Sequence, residues 1–348
     1  MRKKNYEKNI AIKLVKEAML SKKIVYDYVL NEINNFNYTG YKKELLYALN
    51  ISSNLYEKVF LLNTVGKSFK VKTEKLKHFA IAAELLMVGA LTDDDVIDNG
   101  YLRGGKPSLL SKFGFERSQI VSNIILGLFN SAILEGQRYS VPTKSLHAAK
   151  YFFEAYNSVF IGQHNLIELQ GKQVHSIKKI DALASSRVGS LFAACTACPV
   201  ILAGKNTLIK SFLDYGRWLG MAIQHRDDIL DYIGEEKVMG KPPFQDLLNA
   251  QPNLVTAYLF SNIQHHTSES KIFKSLWGAW RKRGGNKKIT AKMQDDIFYV
   301  IESTDALGKA IKHLKRCCNN ATKSLEGVDL CDKIDLVDFA SLVSEIER

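Results

Sequence analysis

The chain has 348 residues, is 46% hydrophobic and carries a formal charge of +12. That length supports one large core or two modest domains. Five cysteines, an odd number, argue against a disulfide framework.

Taken in chain order, the N-terminal MRKKNYEKN is basic but has no hydrophobic run behind it, so it does not read as a secretory signal. No proline occurs before Pro107, and the stretch up to it is rich in Leu, Lys, Glu and Ala, which favours helix. Apolar residues recur at helical spacing in AIKLVKEAML, KLKHFAIAAELLMVGAL, SQIVSNIILGLFNSAIL and FLDYGRWLGMAIQ. Breaks fall at Gly104-Gly105 with Pro107, at Pro142, Gly171, near Gly204, at Pro242-Pro243 and at Gly284-Gly285. Strand-like alternation is scarce. The expectation is an all-α fold: a single bundle of long helices, one unit over residues 1–348. Cys195 and Cys198 form a C-x-x-C inside the apolar run LFAACTACPVILAG; with no second pair or histidine at ligand spacing, they read as buried packing. The basic tract 281–288 reads as a solvated loop, with no nucleic-acid module beside it. No segment approaches 18 uninterrupted apolar residues, so no transmembrane helix is expected and a cytoplasmic location is the default. The charge excess suits nucleic acid, an anionic membrane or a phosphorylated substrate, although lysines spread along the chain also read as a solvated surface.

Two segments, VGALTDDDVID and GMAIQHRDDILDY, are apolar nearly all round until each meets a carboxylate cluster. A helix apolar on every face is buried, so charge at its end demands a partner. Asp94 and Asp98 are four apart and share a helical face, with Asp95 adjacent and Asp93 a fourth carboxylate. Asp227, Asp228 and Asp231 repeat the pattern about 130 residues later. Like charges this close repel, and in apolar surroundings something cationic must offset them. Carboxylates without a neighbouring cysteine suit a hard cation such as Mg²⁺, which binds one or two carboxylates together with phosphate oxygens. Facing clusters would hold metal ions with a diphosphate between them. Arg103, Arg187 and Lys241 are cations near the clusters in sequence, suited to phosphate and equally suited to an exposed surface.

At this point the sequence resembles the trans-isoprenyl diphosphate synthases, the polyprenyl synthetase family, over roughly residues 40–260. AAELLMVGALTDDDVIDNGYLRGGKPS resembles the family's first aspartate-rich region, and GMAIQHRDDILDYIGEEKVMGKPPFQDLLNAQPNLVTAYL its second; Gly162-Gln163 resembles the Gly-Gln of the intervening helix. The resemblance implies an all-α bundle around a central cavity, usually a homodimer, and ionisation of an allylic prenyl diphosphate to a carbocation with two or three Mg²⁺ ions. It implies Asp94, Asp95, Asp98, Asp227, Asp228 and Asp231 as metal ligands. Arg103, Arg187, which stands where lysine is usual, Gln224 and Lys241 become diphosphate contacts. It places Gly89 and Ala90 at the cavity floor, where small residues suit a prenyl chain of fifteen to twenty carbons or longer. Gln163 lies on the cavity wall, and Phe160 is one of several aromatics that core packing or the wall would explain. No nucleic-acid partner is implied; peripheral membrane contact stays open.

The departures concern the second substrate. Where the family carries G-G-K-R-L-R-P, residues 53–59 keep only Lys58 as a cation. The usual histidine before the first cluster is apolar here, and Gly104 replaces the second arginine after it. A charge-assisted hydrogen bond contributes roughly 1.5–3 kcal/mol, so losing about four removes on the order of 6–12 kcal/mol before any discount for non-additivity. Binding of isopentenyl diphosphate is therefore expected to be weak. The first expectation is a terpene synthase on this scaffold, or prenyl transfer to a non-standard acceptor. The alternatives are a head-to-tail polyprenyl diphosphate synthase using isopentenyl diphosphate and, further off, a regulatory subunit of a heteromeric synthase.

Overall fold

The computed structural model describes residues 2–35, 38–52, 57–234, 243–263, 267–282, 289–331 and 333–346. The proline-free first third forms four helices: α1 (Arg2–Asn35), α2 (Lys42–Ile51), α3 (Glu57–Ser68) and α4 (Thr73–Ile97). The Gly104-Gly105 break is the turn of a two-stranded hairpin, β1 (Leu102–Arg103) against β2 (Lys106–Pro107), with both glycines at positive φ. Next come α5 (Leu109–Phe113), capped by the Ser108 side chain, α6 (Phe115–Gly136) and α7 (Pro142–Leu169). Pro142 opens α7 at its first turn, where a missing N–H leaves no bond unmade.

α8 (Ile177–Ala184) runs through a single π turn, Ser185–Gly189, into α9 (Ser190–Ala203), which ends on left-handed Gly204. Pro199 lies inside α9 and does not end it. α10 (Ile209–Ile233) carries the second aspartate cluster. The described remainder holds α11 (Gln245–Leu248), α12 (Leu254–Asn262), α13 (Ser268–Leu276), α14 (Ala279–Lys282), α15 (Ala291–Thr304), α16 (Ala306–Ser324) and α17 (Lys333–Ser344).

α9 is the central helix: every residue from Ser190 to Leu202 is buried, Cys195 and Cys198 included. α3, α4, α7 and α10 pack around it; α6 lies along α4, and α16 along α10. Gly220 on α10 sits where a Cβ would come 2.7 Å from the Cα of Gly189. The missing side chain therefore lets α10 approach the π turn closely. That contact sets the position of the second aspartate cluster relative to Arg187.

Two helical stretches, 115–139 and 177–203, have the length and hydropathy of a membrane span once single polar residues are tolerated. The second is 78% buried within the fold, as a core helix is, and the first is half buried.

Candidate active site

α4 and α10 bring their aspartates to opposite walls of one cavity of about 850 Å³. Asp94, Asp95 and Asp98 line one wall, and Asp227 and Asp228 the other. The segment after α10 adds Asp246, Gln251 and Asn253. On α4 the lining runs from Met87 to Asp98, about 16 Å at 1.5 Å per residue. Its inner part is apolar, with Met87, Ala90, Leu91, Val159, Leu166 and Val188. One cavity thus has a charged end and an apolar end.

Each carboxylate is held by specific donors. Asp94 Oδ1 accepts from Gln163 Nε2 at 2.8 Å and from Arg187 Nη2 at 3.0 Å, and Arg187 Nε donates to Gln163 Oε1 at 2.8 Å. Arg187 reaches this position because it lies on the π turn, where one extra residue per turn re-aims the side chain. Gly162 permits the approach: a Cβ there would meet Ser186 Cβ at 2.8 Å and Arg187 N at 3.1 Å. Arg103, leaving the first hairpin strand, grips Asp95 with Nε at 3.2 Å and Nη2 at 2.5 Å. Its Nη2 also lies 3.9 Å from Asp94 Oδ2. Gln251 Nε2 donates to Asp98.

Across the cavity Gln224 Nε2 donates to Asp228 Oδ1 at 2.9 Å, and the Leu254 N–H donates to Oδ2 at 3.1 Å. Asn253, the N-cap of α12 in a capping box with Thr256, donates to Asp246 Oδ2 at 2.8 Å.

Not every expected residue faces the cavity. Asp231 is fully buried and accepts from the Asp246 N–H at 3.1 Å, anchoring the chain after α10 rather than lining the space. Asp93 turns towards Ser122 on α6, and burial pushes its carboxyl up. Gly89 packs on α6, where a Cβ would come 2.7 Å from Leu126 Cδ2, so its size serves helix packing; Ala90 does line the cavity. Phe160 packs on Tyr156 outside the lining, whereas Gln163 is part of it. Gly89 and Ala90 part because neighbours in sequence lie about 100° apart around a helix. Lys241 lies outside the described residues, as do Ser53–Tyr56 and much of the basic tract.

Sequence reasoning missed Gln251, Asn253 and Asp246 as residues of the cavity lining. The polar run QDLLNAQPN carried that signal.

Lys58 does not reach the cavity. It is buried, with Nζ 3.5 Å from Glu84 Oε2 and 5.6 Å from the centre of the Phe192 ring.

Among the described residues the cavity lining holds six carboxylates (Asp94, Asp95, Asp98, Asp227, Asp228, Asp246) against two guanidinium groups, Arg103 and Arg187. The excess is felt at Asp98, whose carboxyl burial and the neighbouring Asp94 push up to about 7. An oxygen-only donor set with surplus negative charge fits a hard divalent cation.

The sequence profile of the family described as Polyprenyl synthetase matches residues 57–297, more than half of the chain. The heptaprenyl diphosphate synthase component 2 of Geobacillus stearothermophilus is 27% identical over 258 residues, covering 74% of each chain. The octaprenyl diphosphate synthase of Escherichia coli K12 is 28% identical over 257 residues, covering 69% of this chain and 76% of that one. Among solved structures, geranylgeranyl pyrophosphate synthetase from Pyrococcus horikoshii Ot3 superposes with a TM-score of 0.84 at 20% identity, covering 98% of this chain and 99% of that one. Geranylgeranyl pyrophosphate synthase from Corynebacterium glutamicum, complexed with isoprenyl diphosphate and magnesium, gives 0.83 at 18% identity, over 95% and 99%.

The fold is the all-α isoprenoid synthase fold, and the molecule is an enzyme of the prenyltransferase class. The chain belongs to the polyprenyl synthetase family.

Proposed function

We propose that the chain is a head-to-tail prenyl diphosphate synthase, which ionises an allylic prenyl diphosphate and joins the cation to isopentenyl diphosphate. The observation that carries this reading is the single cavity with carboxylates from two helices at one end and apolar walls at the other. The names of relatives such as the heptaprenyl and octaprenyl diphosphate synthases and a prenyl transferase of Cyanidium caldarium favour condensation over the cyclisation expected first from the sequence.

Asp94, Asp95, Asp98, Asp227 and Asp228 would hold Mg²⁺, the ion found in the Corynebacterium relative's complex. When bound, the ions neutralise charge developing on the departing diphosphate. Arg187 and Arg103 stand beside the same space with N–H groups that can turn from carboxylate to phosphate oxygens. Asp231, behind the wall, keeps the segment with Asp246 and Gln251 against the cavity. The apolar part, from Met87 to Val188, takes the prenyl chain, excludes water from the cation and favours carbon–carbon bond formation over hydrolysis.

A second chain fits the surface. Phe115, Leu134, Leu146 and Ile161 on α6 and α7 are each more than half exposed. They suit a homodimer or, as the name "component 2" of two relatives suggests, a second kind of subunit.

The burial of Lys58 against Glu84 favours a second reading, in which the cation is quenched without isopentenyl diphosphate. One experiment separates them: incubation with geranyl, farnesyl and geranylgeranyl diphosphates and Mg²⁺, with and without isopentenyl diphosphate, and product identification. A longer diphosphate formed only with isopentenyl diphosphate supports condensation. A hydrocarbon or alcohol formed without it supports quenching. Absence of any diphosphate release overturns both.

A further inference from the structure

Behind the second aspartate wall lies another polar cluster, outside the cavity lining. Asp181 on α8, His225 on α10, and His313 and Cys317 on α16 converge there. One atom each from His225, His313 and Cys317 lie within 4.8 Å of one another, and all three residues are buried. Asp181 Oδ1 lies 2.9 Å from His225 Nε2 and 2.8 Å from His313 Nε2. The imidazoles stand nearly perpendicular, at 82°. His313 and Cys317 are four apart and share a face of α16.

We infer that His225, His313, Cys317 and Asp181 form a closed binding site for a zinc-class divalent cation, joining α8, α10 and α16 directly behind Asp228.

The donor set selects the ion. Two imidazoles and a thiolate are the partners of zinc and of similar borderline ions, whereas magnesium and calcium seek oxygen. The charges balance: a divalent cation, one thiolate, one carboxylate and two neutral imidazoles sum to zero, so the closed site needs no counter-ion. With bond lengths of about 2.0–2.3 Å, the edges of a tetrahedral site span about 3.3–3.6 Å. The atoms of His225, His313 and Cys317, within 4.8 Å of one another, therefore close in slightly, while Asp181 Oδ1, 2.9 Å and 2.8 Å from the two Nε2 atoms, moves back to admit the ion. The Asp181 side chain is 23% exposed and gives an ion its way in.

The surroundings also suit coordination. His225 Nδ1 is buried without a hydrogen-bond partner, and Asp228 Oδ2 lies 3.6 Å away. With an ion on Nε2, Nδ1 carries the ring's proton and points it at Asp228, the carboxylate–imidazole–metal arrangement that orients such ligands. On His313, Nδ1 lies 3.4 Å from the Tyr258 hydroxyl and 3.0 Å from Arg316 Nη2. Coordination at Nε2 requires Nδ1 to donate. Tyr258 can accept that bond, and Arg316, exposed on α16, can turn to solvent. Burial, with Asp181 nearby, pushes the Cys317 thiol up to about 12, so it is neutral until a cation displaces its proton to solvent.

The test is a titration of the chelator-treated full chain with Co²⁺ in excess Mg²⁺, which keeps the aspartate walls filled. The site predicts one Co²⁺ per chain with the visible spectrum of tetrahedral cobalt and a thiolate-to-cobalt charge-transfer band, both lost on adding equimolar Zn²⁺. Cys317→Ser, checked for folding by circular dichroism, should lose the charge-transfer band. Tyr258→Phe should weaken Co²⁺ about 10–100-fold, as loss of an outer partner does. If the wild-type spectrum shows oxygen-only six-coordinate cobalt, or no stoichiometric binding, the four residues are a hydrogen-bonded cluster and the inference falls. A charge-transfer band that survives Cys317→Ser overturns it too. The wild-type titration decides even if that variant does not fold.

Discussion

α4 carries two carboxylate–cation groups that behave differently. Near its middle Glu84 meets Lys58; ten residues on, about 15 Å along the helix, Asp94 and Asp95 meet Arg187 and Arg103. Glu84 and Lys58 are both sealed, at 0% and 1% exposure, with the Glu57 carboxylate close enough to act on both and Arg226 close to Glu57. The second group opens into the cavity, where acids outnumber bases. Pairing inside a dry core makes structure, whereas surplus charge on a cavity wall leaves room for a ligand. The same contrast sorts residues singled out in the sequence: Asp94, Asp95, Arg103 and Arg187 line the cavity, whereas Lys58 is turned inward.

The largest effect should come from breaking the sealed pair. Lys58→Met leaves Glu84 buried without its cation and should destabilise the fold by about 3–5 kcal/mol, read from a urea midpoint, while Lys58→Met with Glu84→Leu should restore most of it. If Lys58→Met instead keeps its stability and loses condensation with isopentenyl diphosphate, Lys58 belongs with the substrate and the comparison fails. The pair also makes stability depend on pH. Burial pushes Glu84 from 4.5 up to about 7, against the pull of Lys58. Over that window the folded chain keeps a proton that the unfolded chain releases. The stabilisation is therefore complete below pH 4.5 and lost as pH rises through about 7. Glu84→Gln should flatten that part of the profile.

On the open side, Asp94→Ala or Asp227→Ala should lower kcat for diphosphate release by about 10²–10³-fold, the scale of removing one stabilising group from a transition state. Stability should hold or rise, because a like charge has been removed. Wild-type turnover in either variant would sink the proposed function. Arg187→Ala should cost roughly 1.5–3 kcal/mol in transition-state binding, or about 10–150-fold in kcat/KM, and Arg187→Lys should recover part of it.

The helical content and the two aspartate helices were legible because an apolar period of 3.6 ending in D-D-x-x-D is a local pattern. The meeting of Arg187, Gln163 and Asp94 was not, since it depends on a π turn that no residue type announces. Rotation around a helix separates Ala90 from its neighbour Gly89, whereas Asp231, three residues from Asp228, is set apart by its bond from the Asp246 N–H. His225 stands two residues before Asp227, yet its partners Asp181 and His313 lie 44 and 88 positions away, so only packing discloses the cluster. The inward turn of Lys58 likewise depends on Glu84, itself hidden in an apolar run.

Gly162 offers the finest test of how the open group is assembled. A methyl group there would press on Ser186 Cβ at 2.8 Å and on Arg187 Cγ at 2.9 Å, so Gly162→Ala forces α7 away from the π turn. Overpacking of this kind costs about 1–3 kcal/mol. The movement would lengthen the Gln163–Arg187 and Arg187–Asp94 bonds while leaving Lys58 and Glu84, on α3 and α4, untouched. Gly162→Ala should therefore lower kcat/KM further than its loss of stability explains, with the pH profile of stability unchanged. If activity falls only in proportion to the folded fraction, Arg187 finds Asp94 without the close approach of α7, and the π turn alone places it.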